Sequence, residues 1–536
     1  MPTLETDLAF YFSPFTNLEF TENALVLAFG FEGQEDPDLA KNFPELEQRR
    51  KQIDKIDRRG DEVVSFQSIK NGDGFFHAGL IHIGYPWKKR KEIIVGSINF
   101  LQLVFARMVA ATTKARSEGF EKIFVILPNR FSPSNVKDEI TRHHLYSFVK
   151  AISEAIVYSN NDERFVTKKM IRIKETVLFF WGEPNLTVDA FMRKAIGDGS
   201  NMGKQLSFAR SLIETPPNLQ TPIGFLNEAL SLNLEDKPSN KWRRNKISPN
   251  VTAYILNGTE SIVSKGFGLI GAVGSGAAHE PCILKLHYKP STKRTKRIKK
   301  LVFTAKGVVF DTGGHDLKGT GYYDNMHYDM AGAATVISLL RLAEEYKLPV
   351  EIIAIIPVVQ NMIGPKAYLP GSIFKAWNGK TVEIVNTDCE GRLLMADAIS
   401  FGEKTFRPDA MVTVATLGDP DDFAPDFLKV GFFGKGNEKK IKVAEKNAAE
   451  KVFCLPSIDF LNHVDQQHVG SRSDLINDVY KRYHTSAFVF MYNFFEYETP
   501  WIFVDNGAVF ASDAIEYASG PGFGLKFLWY IVQQFT

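Results

Sequence analysis

Two short segments of the chain concentrate the residue types that bind divalent cations. Residues 306–318 read Lys-Gly-Val-Val-Phe-Asp-Thr-Gly-Gly-His-Asp-Leu-Lys, and residues 386–393 read Asn-Thr-Asp-Cys-Glu-Gly-Arg-Leu. With one aspartate further along, they contribute a set of carboxylates beside glycine turns: Asp311, Asp329, Asp388 and Glu390. If these carboxylates lie together, their mutual repulsion raises their pKa values. Two divalent cations would balance their charge, so the pattern predicts a two-metal site.

The ligand types limit the metal. Asp388 and Glu390 are two residues apart, so in an extended segment their side chains point the same way. The neighbouring glycines allow the backbone to approach a metal closely. Because the set offers oxygen and no thiolate, it suits zinc or manganese, and magnesium and cobalt are also compatible.

Two lysines and an arginine lie in the same segments. A lysine binds a metal only when it is neutral, and nearby dications lower its pKa enough to allow this. Either Lys306 or Lys318 could therefore be a ligand, while the other stays charged and stabilises an oxyanion. Arg392 follows the carboxylate pair and can hold a small anion in a bidentate contact.

Strands must precede both segments to position them. Strand patterns occur at 300–304 and 381–385, directly before the two segments. Others, with helical stretches between most of them, occur at 252–256, 282–288, 351–359, 410–416 and 501–504. This alternation predicts an α/β fold with a mostly parallel central sheet flanked by helices. Open sheets of this kind carry their sites at the carboxyl ends of strands, where both segments fall.

We expect two domains, a non-catalytic N-terminal α/β domain over 1–195 and a catalytic domain over 196–536. The first has strand patterns at 24–31, 122–127 and 175–181, a hairpin pattern over 63–84, and helical patterns over 38–59, 99–117 and 137–158. The second opens with a helix that two prolines stop, Pro216 and Pro217.

The composition excludes several classes of protein. The 536 residues carry 64 basic and 62 acidic side chains, so no overall charge favours nucleic acid or an anionic membrane as partner. Three cysteines exclude a disulfide scaffold and a thiolate-rich zinc site. The first residues lack the features of a signal peptide, and no apolar run reaches the roughly 18 residues of a membrane span. We therefore expect a cytoplasmic protein without a membrane partner.

The two segments resemble the signatures of the leucyl (cytosol) aminopeptidase family of two-metal metallopeptidases. The second differs from the family's Asn-Thr-Asp-Ala-Glu-Gly-Arg-Leu only at Cys389, and the first has Thr312 where the family has serine. Further agreement spans the C-terminal two-thirds of the chain, at 215–218, 271–276, 356–362, 378–381 and 500–505. The N-terminal region matches the family only in size and α/β character.

The resemblance implies which residues hold the metals. It assigns a tight site to Lys306, Asp311, Asp329 and Glu390. It assigns a more exchangeable metal to Asp311, Asp388 and Glu390. All of these positions are filled in this chain, which argues against an inactive homologue.

The resemblance also implies the catalytic groups and the reaction. Lys318 becomes the catalytic lysine, and Arg392 holds a bicarbonate ion with help from the backbone at Gly391 and Leu417. The implied activity is removal of N-terminal amino acids from peptides with a free N-terminus. A water activated by two metals attacks the scissile carbonyl, and the lysine and the arginine-held bicarbonate assist. Family members assemble as hexamers, so a homohexamer is expected.

Substrate preference depends on positions where the chain departs from the family. Met326 and Thr416 correspond to positions at the pocket for the substrate's first side chain, which normally suits apolar groups. An acidic stretch beginning at Asp419 follows the strand at 411–417. It either favours substrates with a basic first residue or is a solvated loop. Residues 480–486 replace a glycine-rich stretch at the expected rim of the site.

Other residues near the segments have simpler interpretations. His315 and His327 lie among the candidate ligands, but the family uses neither and no His-Glu-x-x-His motif occurs, so we interpret both as structural. Cys389 is interpreted as packing under the site, where its thiol could make the enzyme sensitive to oxidation.

Two alternative functions belong to other classes of protein. Basic clusters at 88–91, 242–246, 293–300 and 435–446 are compatible with nucleic-acid binding, although we interpret them as surface loops and hairpin tips. A structural hexameric homologue with weak or no peptidase activity is the other alternative. Nucleic acid is therefore not expected as a main partner.

Overall fold

The computed structural model describes residues 9–12, 24–31, 46, 48, 64–71, 74–83, 98–127, 139–160, 170–180, 190–291, 297–418, 427–456, 469–470, 472–479, 483–507 and 522–536. They form two compact units that divide between Ser207 and Phe208, inside one helix. Each unit is an α/β structure with its own sheet.

The N-terminal unit contains a six-stranded sheet. Its strands are β1 (Ala9–Phe12), β2 (Ala24–Phe31), β3 (Val64–Asn71), β4 (Gly74–Ile83), β5 (Lys122–Leu127) and β6 (Glu175–Phe180), and its helices are α1 (Ile98–Glu118) and α2 (Glu139–Ser159). The strand order is β1-β6-β5-β2-β4-β3, parallel except for the hairpin of β3 and β4. The predicted hairpin, strands and second and third helices are thereby confirmed. The helix predicted over 38–59 lies outside the described residues apart from positions 46 and 48.

The C-terminal unit is larger. Helix α3 (Ala190–Ile213) leads into it, followed by α4 (Pro222–Leu230), α5 (Thr259–Ser264), α6 (Gly268–Gly274), α7 (Ala331–Glu345), α8 (Glu390–Phe406), α9 (Asn437–Ala448), α10 (Tyr483–Tyr492) and α11 (Leu525–Gln533). Its strands are β7 (Ser239–Lys246), β8 (Val251–Asn257), β9 (Cys282–Tyr288), β10 (Lys299–Ala305), β11 (Gly307–Asp311), β12 (Val350–Asn361), β13 (Ile373–Lys375), β14 (Thr381–Glu383), β15 (Ala410–Ala415), β16 (Leu428–Phe433), β17 (Val452–Cys454), β18 (Leu475–Ile476) and β19 (Trp501–Asp505). Among the helices in the described part of the chain, none is both long and apolar enough to cross a membrane.

The central sheet has ten strands in the order β17-β16-β19-β15-β10-β12-β9-β8-β7, with β11 also paired to β12. Its middle, from β19 to β12, is parallel, and the strands on both sides add antiparallel pairs. Strand β12 is almost entirely buried, which explains its continuous apolar sequence. The predicted mostly parallel sheet is confirmed, with an antiparallel extension from β9 to β7 that the alternation of elements did not indicate.

One strand prediction is wrong in its placement. Residues 381–385 were expected to belong to the central sheet, yet only Thr381–Glu383 is a strand, and it lies in a separate three-stranded sheet. There β14 pairs antiparallel with β13 and parallel with β18. Strand β13 ends shortly before β14 begins, so the two pair as local antiparallel neighbours and one edge of β14 is taken up. The segment 386–393, which carries Asp388 and Glu390, therefore starts from this small sheet.

Asp397 on α8 joins three parts of the C-terminal unit. Its Oδ2 accepts hydrogen bonds from the backbone N–H groups of Leu269 and Ile270, at 3.0 and 3.1 Å. Its Oδ1 accepts another from the N–H of Trp377 at 2.7 Å. The side chain is fully buried, and this burial raises its pKa to about 7, although the three backbone donors act in the opposite direction. Asp397 thus fixes the start of α6 against α8.

The raised pKa of Asp397 predicts a pH-dependent stability. Because its folded value lies above 3.8, the folded protein takes up a proton there, and this stabilisation is lost as pH rises through about 7. We expect the thermal unfolding temperature of the wild type to fall relative to that of Asp397→Asn between about pH 5 and about pH 8. A difference that stays constant across this range would contradict the assignment.

Candidate metal centre

Strand ends and helix starts bring the predicted ligands together. Lys306 separates β10 from β11, and Asp311 is the last residue of β11. Asp329 lies two residues before α7, and Asp388 and Glu390 lie at the start of α8. Helix starts present unpaired N–H groups and a positive dipole end, which favours carboxylates at these positions. The two sequence segments therefore meet at the carboxyl edge of the parallel strands.

Three of the carboxylates form a buried cluster. Asp311, Asp329 and Glu390 each offer one oxygen, and these oxygens lie within 4.8 Å of one another. Lys306 Nζ is 2.7 Å from both Asp329 Oδ1 and Glu390 Oε1, and it donates to the carbonyl oxygen of Thr416 at 2.7 Å. All four ionisable side chains are buried. These are the four residues predicted to hold the tighter metal, and the structure brings them together.

The fourth carboxylate lies on the more accessible side of the cluster. The side chain of Asp388 is 31% exposed, in contrast to 3% for Asp311. Lys318 Nζ lies between them, 2.9 Å from Asp311 Oδ2 and ion-paired with Asp388. The structure thus brings both predicted lysines to the carboxylates, one on each side of Asp311.

The electrostatics show an excess of negative charge. Burial, together with the charges of Glu390 and Asp311, raises the pKa of Asp329 well above its ordinary range. Burial also raises the pKa of Glu390, and it raises that of Asp388 to about 8. Asp311 is the exception: burial opposes its ionisation, but Lys318 and Lys306 lower its pKa. Such raised values mark carboxylates whose charge the two ammonium groups do not balance.

The donor set fits a divalent cation. With all four carboxylates ionised, the two ammonium groups leave two negative charges in a largely buried site, and this excess favours the binding of divalent cations. The buried Oδ2 of Asp329 has no hydrogen-bond partner among the described residues. Buried polar atoms are rarely left unpaired, so this oxygen is available to a metal.

A hydrogen-bonded brace holds the second segment against the first. Asn361 Nδ2 donates to Asp311 Oδ1 at 2.8 Å and to the carbonyl of Thr387 at 3.1 Å, and the hydroxyl of Tyr368 donates to the same carbonyl at 2.7 Å. Thr387 Oγ1 donates to the carbonyl of Gly313, and its N–H donates to Asp316 Oδ2 at 2.7 Å. The sequence contains no motif that marks Tyr368 or Asp316 for this role. Asn361 and Thr387 lie inside family motifs, so the sequence could have indicated these two residues.

Gly391 is required by the packing of the tight site. A Cβ there would lie 2.8 Å from Lys306 Cε and 2.6 Å from Leu417 Cδ2, both closer than atoms can pack. Without a side chain at this position, Lys306 can extend across the start of α8 to the carboxylates. This explains why glycine follows Glu390.

Two of the predicted anion-binding groups, Nη1 of Arg392 and the N–H of Leu417, already have partners within the protein. Arg392 is buried, and its Nη1 donates to the carbonyl of Asn477 at 3.0 Å, to Ser486 Oγ at 3.1 Å and to Asp478 Oδ1 at 3.3 Å. The N–H of Leu417 donates to Asp505 Oδ1 at 3.2 Å. No residue of 477–479 or 486 was identified from the sequence as a functional partner.

The three residues predicted for the substrate pocket have different surroundings in the structure. Met326 begins a short 3-10 turn just before Asp329 and is half-buried. Thr416 is buried, and its hydroxyl donates to Asp329 Oδ1 at 2.7 Å, so it orients a candidate ligand. Asp419 lies outside the described residues, and the prediction for it stays a prediction.

The two histidines and the cysteine near the candidate ligands differ in their surroundings. His315 is exposed, whereas His327 packs edge-on against the ring of Tyr328 and its pKa is lowered by burial. Burial raises the pKa of the Cys389 thiol to about 12, so it is not a thiolate at neutral pH.

The basic clusters pair with acids or lie along an edge. Arg297 and Lys299 form ion pairs with Asp409, at 3.2 and 2.9 Å. Lys442 pairs with Glu438 at 2.6 Å on α9. Residues 242–246 lie on β7, at the end of the described central sheet, where basic side chains discourage pairing with another sheet. The cluster at 88–91 lies outside the described residues, as do residues 293–296 of the cluster at 293–300.

The α/β sheet carries, at its strand ends, a buried carboxylate cluster whose negative charge the neighbouring lysines do not balance. This arrangement defines the class of protein as a metal-dependent enzyme. The chain belongs to the cytosol aminopeptidase family, because the model of that family's catalytic domain matches residues 207–529. It is therefore a hydrolase, a metal-dependent aminopeptidase that acts on peptides. The family resemblance of the two sequence segments is confirmed.

Individual relatives agree with this assignment. A probable cytosol aminopeptidase of Solibacter usitatus is 29% identical over 401 residues, covering 74% of this chain and 75% of the relative. One from Cenarchaeum symbiosum is 33% identical over 314 residues, covering 58% of this chain and 60% of the relative. Among solved structures, the bottromycin maturation enzyme BotP in complex with Mn matches 95% of this chain with a TM-score of 0.72. At 20% identity, that likeness shows the fold alone.

Proposed function

We propose that this chain is an aminopeptidase that uses two divalent cations to remove the N-terminal residue of a peptide. The observation that supports this most strongly is the buried cluster of Asp311, Asp329 and Glu390, with an unpaired ligand oxygen on Asp329. A cluster of this kind is costly to fold without a cation, because its charges repel one another in a low-dielectric site.

The side chains divide between two metal positions. Lys306, Asp311, Asp329 and Glu390 would hold the tighter cation, and Asp311 and Glu390 would share the second with Asp388. The greater exposure of Asp388 supports exchange of the second cation with solvent. Manganese or zinc suits these ligands, and BotP, a structural relative, was solved in complex with Mn. When bound, two such cations supply an acidified water and polarise the scissile carbonyl.

Lys318 acts on the reacting carbonyl. Its ammonium group lies against Asp311 and Asp388, at the accessible side of the cluster. Those carboxylates raise its pKa although burial opposes this, so the group is positively charged at neutral pH. A fixed positive charge at this place stabilises the oxyanion that develops during attack on the peptide bond. Lys306, in contrast, is enclosed by the tight site and acts as a ligand there.

The residues proposed to hold bicarbonate do not fit that ion well. Arg392 Nη1 and the N–H of Leu417 both donate to carboxylates of the protein, those of Asp478 and Asp505. We therefore derive no step through bicarbonate. Proton transfer to the leaving amine is assigned to solvent at the exposed side of Asp388.

The remaining features follow the family. Met326, on the turn before Asp329, would line the pocket for the first side chain of the substrate. We propose a homohexamer in the cytoplasm, in keeping with relatives named cytosol aminopeptidases. Residues 1–195 would form the non-catalytic domain and residues 196–536 the catalytic one.

A pair of chromogenic substrates tests the exopeptidase assignment. With manganese present, we expect leucine anilide to be hydrolysed and its N-acetylated form to react about 10- to 100-fold more slowly, because a blocked amine loses binding energy at the metal site. Equal rates for both substrates would exclude an aminopeptidase. An acetylated substrate with an internal peptide bond serves as the control for contaminating endopeptidases.

A further inference from the structure

Arg392 is the one candidate catalytic residue whose surroundings differ from the family expectation. Its guanidinium is 3% exposed and lies at the start of α8, two residues after Glu390. Nη1 donates to two neutral oxygens and to one carboxylate, that of Asp478 at 3.3 Å. A buried guanidinium requires a negative partner, and here the chain itself provides one.

Asp478 is held in place from both sides. Oδ1 accepts from Arg392, and Oδ2 accepts from Asn386 Nδ2 at 3.2 Å. The preceding residue, Asn477, fixes the same segment, because its Oδ1 accepts from the N–H of Val385 at 2.8 Å and its Nδ2 donates to the carbonyl of Asn386 at 2.6 Å. The carboxylate of Asp478 is therefore fixed against the segment 386–393 by two of that segment's residues. Its side chain is only 13% exposed.

We propose that Asp478 is the resident anion of Arg392 and takes the place of an external bicarbonate. This inference rests on the proposed function, because it concerns the same arginine. A second anion next to Arg392 would lie close to the carboxylate of Asp478, which repels it. The buried Nε of Arg392 has no acceptor among the described residues, and a neutral oxygen of water or substrate can fill that position. Asp505 has the same effect at the N–H of Leu417.

Asp478 is a positioning residue, since it acts through Arg392 and the Asn386 loop. The proposal therefore predicts independence from bicarbonate in the wild type and dependence in a variant without the carboxylate. Asp478→Ala removes the resident anion and leaves room for a small one. Asp478→Asn keeps the shape and removes only the charge. Asp474→Asn is the matched control, since Asp474 is exposed, lies before β18 whereas Asp478 lies after it, and accepts from Thr381 instead.

The experiment uses the full-length, metal-loaded enzyme in buffer freed of carbon dioxide, with bicarbonate or formate then added. We expect wild type and Asp474→Asn to be active without either anion, and their kcat/KM should change less than about twofold when bicarbonate is added. For Asp478→Ala, kcat/KM should be about 10- to 100-fold lower without an anion and should recover with bicarbonate or formate. Metal content and unfolding temperature of every variant are measured on the same samples.

Three results would overturn the inference. The first is wild-type activity that requires bicarbonate, and the second is an Asp478→Ala enzyme that is as active as wild type in the absence of bicarbonate. The third is a folded, metal-loaded Asp478→Ala enzyme whose activity neither bicarbonate nor formate restores. If both variants fail to fold, binding of carbon-13 bicarbonate to the metal-free wild type decides by NMR. The proposal expects no saturable binding, and saturable binding would contradict it. A wild type without aminopeptidase activity under any condition would instead refute the proposed function, and the NMR measurement would still test the role of Asp478.

Discussion

Replacing Lys318 by alanine is expected to lower kcat about 100- to 1000-fold, the usual effect of removing one preorganised group that stabilises an oxyanion. The bound metals should stay, because Lys318 contributes a positive charge between Asp311 and Asp388 and competes with cations for them. Steady-state kinetics and metal analysis of the same preparation check both parts. A loss of turnover with unchanged metal content would identify Lys318 as a catalytic lysine.

Lys404→Ala is the matched control for this substitution. Lys404 is 47% exposed and pairs with Glu496 at 3.0 Å on the surface, where such pairs contribute little. We expect its kinetics to equal those of the wild type. A Lys318→Ala enzyme with full activity would remove Lys318 from the mechanism. Loss of metal together with activity would make it a structural partner of the carboxylates.

Replacing Asp329 by asparagine is expected to remove the tighter metal. The affinity for that metal should fall by more than about 100-fold, which is the effect of losing a residue that only supports a ligand. Asp329 contributes to that site alone, through a buried carboxylate with an unpaired oxygen. Asp388→Asn should instead spare the tighter metal and weaken only the exchangeable one, since Asp388 is partly exposed and outside the buried cluster. Metal titration of both variants distinguishes the two positions.

Asp324→Asn provides the control, because Asp324 is exposed on the same loop as Asp329. Its metal content should match that of the wild type. Asp329→Asn and Asp388→Asn enzymes that bind metal identically would contradict the division into a tight and an exchangeable position. Retention of two tightly bound cations by Asp329→Asn would remove that residue from the ligand set.

Much of the fold could be predicted from local patterns. The apolar run now seen as β12 is a buried central strand, and Asn71 pairs with Gly74 at the end of the predicted hairpin. Partner choice was harder, because a strand pattern does not specify its neighbours. That is why the short strand before Asp388 was placed in the central sheet, while it pairs with β13 and β18.

The candidate ligands were predictable because residues of metal-binding types lie close together in the sequence. Lys306 and Asp311 lie on one strand end, and Asp388 and Glu390 lie two residues apart, so short motifs report them. The residues that orient them come from distant segments. Asn361 reaches Asp311 from fifty positions away, and Tyr368 and Asp316 carry no motif of their own.

The partners of Arg392 illustrate the same limit. The arginine is identified from its motif, whereas Asp478 lies 86 residues further along and becomes its partner only through the fold. Family resemblance suggested an external anion at this place. Burial and hydrogen bonding indicate one supplied by the chain, a difference that no pattern around Arg392 could reveal.

The most direct test of the central claim is removal and return of the metal in the wild type. A chelator followed by dialysis should abolish hydrolysis of leucine anilide, and manganese or zinc should restore it as the content rises to about two ions per chain. Activity and metal content are measured on the same sample. A metal-free preparation that hydrolyses the substrate as fast as the loaded enzyme would contradict the account.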